Sequence, residues 1–169
     1  MQRQALGHGF GPFFDKESRL LILGSFPSVK SREQGFYYGH PQNRFWSVMA
    51  ALFCEATPKS LSEKKAFLSR NHVALYDVIE SCSIVGSADS SIADVVPASL
   101  EKILQNSQVG ARIFTNGATA DALYRKHQFP LLRIEARRLP STSPANAAWT
   151  LPRLINDWRE SFASAGVFE

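Results

Sequence analysis

Short apolar runs alternate along the chain with segments in which apolar residues recur at the spacing of a helix. The run at 19–24 is almost wholly apolar and ends at a glycine, which is typical of a buried strand. Between Phe45 and Phe53, by contrast, apolar side chains lie three or four positions apart, with Asn43 placed to cap a helix. The same reading predicts strands at 19–24, 72–79, 111–114 and 131–139, and helices at 43–53, 60–70, 97–104, 117–127 and 150–162.

Strands that alternate with helices pair in parallel, and the helices cover both faces of the sheet. The pattern therefore predicts an α/β fold, a three-layer α/β/α sandwich around a central, mostly parallel sheet. Ligands of such sheets bind beyond the carboxyl ends of the strands. The loops at 24–42, 76–91, 115–118 and 140–147 lie there, and their composition is unusual for connecting loops. We expect the chemistry of the protein in these loops.

Composition narrows the class of protein without choosing a function. The 169 residues correspond to one domain, 1–169, with ordinary globular proportions of 44% apolar and 20% charged residues. No apolar run approaches the roughly 18–20 residues of a membrane span, and no secretory signal is visible, so a cytoplasmic protein without a membrane partner is expected. The two cysteines, Cys54 and Cys82, lack the spacing of a metal or iron–sulfur site, which predicts no metal and no cofactor. The net charge of +4 is compatible with a polyanionic partner.

The loop after the first strand contains the least usual residues. Its beginning, 24–28, is a glycine and proline turn whose backbone amides could hold a phosphate or a water, but its spacing matches no nucleotide-binding motif. Three consecutive aromatic residues follow at 36–38, between two glycines. Such rings favour a stacking partner, for example a flipped nucleobase, since base–aromatic stacking contributes about 1–3 kcal/mol. The alternative is that Phe36 and Tyr37 simply plug the top of the sheet.

Three stretches of the sequence resemble the uracil-DNA glycosylase superfamily. They are GSFPS at 24–28, FYYGHPQNRFW at 36–46 and STSPAN at 141–146, and the similarity extends through 74–82 and 86–92 over most of the chain from 7 to 162. The branch that the chain resembles most is that of the hypoxanthine-DNA (deoxyinosine) glycosylases, related to the mismatch-specific uracil/thymine-DNA glycosylases. The resemblance implies a small four-stranded parallel sheet. It also implies a monofunctional enzyme that flips a deaminated base and hydrolyses its N-glycosidic bond without a metal.

The resemblance also implies which residues catalyse the reaction. Many members carry Asp or Asn at the third position of the first motif, where it orients or activates the attacking water, but this chain has Phe26 there. Catalysis must then be relocated. Asn43 is the residue predicted to align the water or to bind the departing base, and His40 is the alternative. Because the bond breaks through an oxocarbenium-like sugar, positioning and stabilisation of the leaving group can suffice.

Contacts with the base and with the DNA backbone are predicted from the same motifs. Asp77 stands where relatives place the residue that reads the Watson–Crick edge, and its carboxylate would accept from N1–H of hypoxanthine or N3–H of uracil. A helix cap or an ion pair is the alternative for Asp77. Phe36 is predicted to stack on the base, and the other predicted base contacts are Ser25, Phe26 and Tyr38. The predicted contacts with the DNA backbone are Ser28, Ser141, Thr142, Ser143 and Asn146, with a weaker candidate in the loop at 87–91 and a basic cluster of Arg133, Arg137 and Arg138.

The leading hypothesis is a monomeric DNA glycosylase of base-excision repair that acts on DNA containing deaminated bases, hypoxanthine first and uracil second. One alternative is a glycosylase specific for uracil or thymine in G:U and G:T mismatches. Another is a noncatalytic nucleic-acid-binding module on the same fold, which would account for Phe26 in place of the usual acid or amide.

Overall fold

The computed structural model describes residues 2–85 and 88–168 of the chain. Within these ranges the strands are β1 (Arg3–Gly7), β2 (Leu20–Gly24), β3 (Val73–Asp77), β4 (Ile79–Val85), β5 (Ala93–Pro97), β6 (Ile113–Asn116) and β7 (Arg137–Leu139). The helices are α1 (Val29–Gln34), α2 (Phe45–Leu52), α3 (Leu61–Arg70), α4 (Glu101–Gln105), α5 (Ala118–His127), α6 (Phe129–Leu132) and α7 (Leu151–Ser164). None of these helices is long and apolar enough to cross a membrane.

A parallel sheet in the order β3-β2-β6-β7 forms the centre of the fold. Strands β2 and β3 are buried along their whole length, which agrees with their nearly continuous apolar sequences. The register pairs Gly24 with Asp77 and Asn116 with Leu139. The carboxyl ends of the strands therefore lie along one edge of the sheet, and the loops that follow them converge there.

Helices cover both faces of this sheet. On β6, the ring of Phe114 packs 4.8 Å from the ring of Phe162 in α7, while the next residue, Thr115, donates from Oγ1 to Asp121 of α5 at 2.9 Å. Neighbouring residues of a strand point to opposite faces, so α7 and α5 lie on opposite sides. The predicted three-layer α/β/α sandwich with a four-stranded parallel sheet is confirmed.

A second sheet, which the hydrophobic pattern did not predict, stands beside the first. It is antiparallel, in the order β1-β4-β5, and it includes β4 where the composition of 81–91 favoured a loop. Serines at 81 and 83 give this strand the composition of a polar loop, although Cys82 and Ile84 are buried. Because β1 ends at Gly7, the next residue, His8, is brought to the carboxyl end of β3.

Several predicted elements differ from the structure in their bounds, two of them by the most. The strand expected at 131–139 is reduced to β7, because Phe129–Leu132 is helical with a proline in its first turn and ends at Arg133, whose φ of 58° is left-handed. The helix expected to open at Pro97 begins at Glu101 instead. Pro97 closes β5, a strand at the edge of its sheet, where the lack of an N–H is tolerated.

Candidate active site

A cavity of about 430 Å³ lies beyond the carboxyl ends of β2, β3 and β6, where the sheet topology places ligand sites. Ten of the twelve residues predicted for the site line it. They are Ser25, Phe26, Ser28, Tyr38, His40, Asn43, Asp77, Ser141, Thr142 and Ser143. The other two, Phe36 and Asn146, lie outside this lining. The predicted residues thus come from three separate loops to one place.

Asp77 forms the charged part of the cavity wall. It is only 4% exposed, and its Oδ2 accepts a hydrogen bond of 2.7 Å from Nε2 of His8, which is equally buried. On the other side, Oδ1 lies against Gly24, so closely that a Cβ added to this glycine would stand 2.5 Å from it. The carboxylate is therefore held between an imidazole and the backbone of the neighbouring strand. Asp77 thus forms the ion pair considered as an alternative and also lines the cavity.

His8 is a functional candidate that the sequence did not indicate. It lies 69 positions from Asp77 in a loop without a recognisable motif, and only the second sheet brings it there. Its imidazole packs against the rings of Phe10 and Tyr76, with centroids 4.5 Å and 4.7 Å away. Nε2 of His8 is the ring nitrogen that faces the carboxylate, and Nδ1 is buried without a hydrogen-bond partner among the described residues. A buried carboxylate needs such a partner, so His8 supports the position of Asp77.

The two tyrosines of the aromatic loop differ in how their hydroxyls are used. Tyr37 is buried and donates to the backbone oxygen of Gly11. Tyr38 has a left-handed φ of 53°, its ring stacks on Phe45 with centroids 3.9 Å apart, and its buried hydroxyl has no hydrogen-bond partner among the described residues. Burial, together with the nearby charge of Asp77, raises the pKa of both phenols far above the ordinary value. Both are thus neutral groups at physiological pH.

Asn43 and His40 line the cavity from the turn before α2. Oδ1 of Asn43 accepts from the backbone N–H of Phe45 at 2.9 Å, but the N-cap of α2 is Arg44 and not Asn43 as predicted. This bond fixes the orientation of the amide and leaves its NH₂ as the group for a ligand. Nδ1 of His40 accepts from the N–H of Gln42 at 3.1 Å, so its role in the turn is structural and its Nε2 remains for other contacts.

Phe36 is not placed to stack on a ligand in the cavity. Its ring is 6% exposed and packs against Trp46 and, edge-on, against Phe13. Phe36 is thus a core residue, which is the alternative given for it in the sequence analysis. Phe26 lines the cavity instead, with the guanidinium of Arg32 5.7 Å from its ring centroid. The prediction for Phe36 is corrected accordingly: position in a motif does not show which of several neighbouring rings turns inward.

The loop at 141–146 closes the cavity from the side of β7. Asn116, at the end of β6, pins this loop through two hydrogen bonds, donating to Oγ1 of Thr142 at 3.0 Å and accepting from its N–H at 3.1 Å. Thr142 is fully buried, so its hydroxyl holds the loop and is not placed for the predicted contact with DNA. The side chain of Asn146 donates to the backbone oxygen of Ser141 and lines a neighbouring cavity of about 680 Å³.

Arg44 also holds this loop, and sequence reasoning missed it. Its guanidinium donates to the backbone oxygens of Ser143 and Asn146, at 3.0 Å each, and to that of Trp149. Its own N–H donates to the oxygen of Thr142. A guanidinium carries five N–H donors in a fixed fork, so it can satisfy three carbonyls at once. The aromatic motif and the serine-rich motif are therefore joined physically through Arg44.

The remaining predictions concern polar and charged groups around the cavities. Ser28 caps α1 by accepting from the N–H of Ser31 at 3.1 Å. Of the basic cluster, Arg138 lines the second cavity. In the loop at 87–91, Ser87 falls outside the described residues, and Ser91 is engaged with the backbone of Val85. Within 2–85 and 88–168, no group of three or more His, Cys, Asp and Glu side chains is arranged to hold a metal ion.

Comparisons with known proteins agree with this architecture. The family model of the Uracil DNA glycosylase superfamily matches residues 12–163. The chain is 33% identical over 158 residues to a protein of Methanosarcina acetivorans named hypoxanthine DNA glycosylase, and 29% identical to one of the same name from Methanosarcina barkeri; each match covers 91% of this chain and 96% of the relative. A solution NMR structure of a candidate uracil DNA glycosylase from Methanosarcina acetivorans superimposes with a TM-score of 0.73 at 28% identity, over 94% of this chain and 99% of that one. This chain belongs to the Uracil DNA glycosylase superfamily.

Proposed function

We propose that this protein is a DNA glycosylase that removes hypoxanthine from DNA, with uracil as a second substrate. The single observation that carries the proposal is the buried Asp77 carboxylate in the wall of a cavity large enough for one base. A fixed carboxylate accepts a hydrogen bond and cannot donate one. It therefore favours a base with a ring N–H, which deamination creates in hypoxanthine and uracil and which adenine and cytosine lack. The names of the Methanosarcina relatives support the same substrate.

The reaction is hydrolysis of the N-glycosidic bond. The bond between C1′ and the base nitrogen breaks with its electron pair leaving on the base, and a water oxygen forms the new bond to C1′. The water loses a proton, and the base gains one. In the proposed mechanism, the amide of Asn43 aligns the water or binds the departing base, with His40 as the alternative. Base flipping into the cavity excludes bulk water from the sugar and fixes the reacting atoms.

Groups around the mouth of the cavity are the proposed contacts with the DNA backbone. Ser28, Ser141 and Ser143 lie on its lining, with Lys30 beside them. Hydroxyls and backbone amides that bind phosphates fix the position of a strand without reading its sequence. The proposal further includes one glycosylase domain over 1–169, a monomer, no cofactor and a cytoplasmic location.

The test is release of bases from oligonucleotides that carry one inosine, uracil, xanthine or G:T mismatch, in single and double strands, followed by alkaline cleavage of abasic sites. We expect strand breaks at inosine, fewer at uracil, and a loss of at least tenfold in the single-turnover rate for Asn43→Ala. If no substrate is cleaved even with enzyme in excess, the enzymatic function is refuted and the noncatalytic binding module remains as the explanation. Faster cleavage at G:U or G:T than at inosine would favour the mismatch-specific alternative.

A further inference from the structure

The hydroxyl of Tyr38 is a polar group that the fold itself leaves unused. It is buried beside the cavity and makes no hydrogen bond with the described residues, although the Asn116 side chain lies close enough to lower its pKa and buried hydroxyls nearly always have a partner. The ring cannot turn away easily, because it stacks on Phe45 and its backbone is held at a left-handed φ that non-glycine residues rarely adopt. An orphaned hydroxyl kept in such a position points to a ligand that would supply the missing partner.

The hydroxyl lies next to the carboxylate of Asp77. Measured from the position that a Cβ on Gly24 would occupy, Oδ1 of Asp77 is 2.5 Å away and the hydroxyl of Tyr38 is 3.5 Å away, so the two oxygens are at most 6.0 Å apart. They make no hydrogen bond with each other. A side chain at Gly24 would clash with Oδ1 of Asp77 and would contact the hydroxyl of Tyr38. An acceptor and a donor thus lie within 6.0 Å of each other, on two residues that line the same cavity.

This pair matches the chemical change that deamination makes. Hypoxanthine presents N1–H beside the O6 carbonyl, and uracil presents N3–H beside a carbonyl; both edges offer one donor next to one acceptor. Adenine and cytosine present the reverse, a ring nitrogen that accepts beside an amino group that donates. An ionised carboxylate and a phenol that stays protonated complement the first arrangement. The raised pKa of Tyr38 keeps its hydroxyl a donor throughout the physiological range.

We propose that Tyr38 determines specificity together with Asp77: the carboxylate accepts from the ring N–H, and the Tyr38 hydroxyl donates to the neighbouring carbonyl oxygen of the flipped base. This inference rests on the proposed glycosylase function and adds to it the chemical group that is recognised, the N–H/C=O edge of a deaminated base. The pair does not exclude guanine or thymine, which present the same two groups. Rejection of guanine must therefore come from contacts with its 2-amino group.

The experiment compares wild-type protein with Tyr38→Phe on oligonucleotides that carry either inosine or 6-thioinosine. Sulfur in place of O6 keeps N1–H but is a much weaker hydrogen-bond acceptor. Single-turnover rates are measured at saturating enzyme, and Kd for each oligonucleotide is measured separately. Tyr124→Phe is the matched control, because it also removes a buried hydroxyl, one that donates to the backbone oxygen of Ile134 at 2.5 Å, away from the cavity lining.

We expect Tyr38→Phe to lower the rate with inosine about 5- to 150-fold, the range for leaving one buried polar group without a partner. With 6-thioinosine the same substitution should change the rate less than threefold, because the weak acceptor has little bond to lose. Tyr124→Phe should leave the ratio between the two substrates unchanged. Equal effects of Tyr38→Phe on both substrates, or no effect on inosine, would overturn the role of Tyr38 while the glycosylase function stands. Absence of wild-type cleavage at inosine would overturn both.

Discussion

Gly24→Ala is the substitution that tests the geometry of the site most directly. Gly24 ends β2 beside Asp77 in the sheet register, and its φ lies in a region that any residue adopts. The backbone therefore accepts alanine without strain. Only the side chain is in conflict, since the new Cβ would stand 2.5 Å from Oδ1 of Asp77.

The expected magnitude follows from that distance. A comfortable contact between nonbonded heavy atoms is about 3.5 Å, so the carboxylate must retreat by about 1 Å. It cannot do so freely, because Oδ2 is bonded to His8 at 2.7 Å in a buried site. Misplacement of a positioning group by about 1 Å costs on the order of 100-fold in rate. We therefore expect Gly24→Ala to lower the single-turnover rate with inosine about 100-fold.

The assay is base release from an inosine oligonucleotide, combined with urea unfolding of each variant. Gly7→Ala is the matched control, since a Cβ at this strand glycine meets nothing within 4 Å. Alanine in place of glycine in a strand gains about 0.5–1 kcal/mol, which offsets part of any clash, so the free energy of unfolding should change little. A rate for Gly24→Ala within threefold of Gly7→Ala would refute the reasoning that Asp77 must keep this position.

The other predictions concern the groups around the cavity. His8→Leu should lower the free energy of unfolding in urea by about 3–5 kcal/mol, because Asp77 stays buried without its partner; a loss below about 1 kcal/mol would contradict the pairing. Arg44→Gln should raise Kd for DNA and lower stability by at least about 2 kcal/mol, and Arg44→Lys should restore little, because lysine lacks the forked donors that hold three carbonyls. Arg138→Gln should reduce the slope of log K against log salt by about 0.9, measured by fluorescence anisotropy, and an unchanged slope would remove Arg138 from the interface. Burial raises the pKa of Tyr124 to about 12, above the ordinary 10.0, so the folded protein keeps a proton that the unfolded chain loses. Stability should therefore fall by up to about 1.4 kcal/mol per pH unit from pH 10 to 12, and Tyr124→Phe should flatten this fall.

The place of the site was predictable from the sequence because of how parallel sheets are built. Apolar runs ending in glycine or polar residues mark the strands, and parallel pairing puts all their carboxyl ends along one edge. Residues as distant as Ser25, Asp77 and Ser141 could therefore be expected at one cavity, which they line. This inference needs only the parallel pairing of the strands and no knowledge of side-chain contacts.

The partners of these residues could not be predicted in the same way. His8 reaches Asp77 only because β1 joins a second, antiparallel sheet whose middle strand reads as a polar loop. The sequence also did not show which of the neighbouring aromatic rings faces the cavity. Phe36 turns into the core, whereas the left-handed backbone of Tyr38 directs the next-but-one ring to the cavity. Both outcomes depend on tertiary packing, which local sequence patterns do not encode.

The proposed mechanism also accounts for Phe26 at the position where many family members carry an acid or an amide. Among the described residues that line the cavity, Asp77 is the only carboxylate, and its Oδ2 is committed to His8. A residue held in this way is suited to reading a base and poorly suited to taking a proton from water. Hydrolysis through an oxocarbenium-like sugar makes little demand for a strong base, because the cation accepts even a neutral water once the glycosidic bond has opened. In the proposed mechanism the rate then depends on how well the departing base is held. Asp77 and Tyr38, the proposed contacts with the base, would therefore also contribute to catalysis, and Asn43 would need only to align the water.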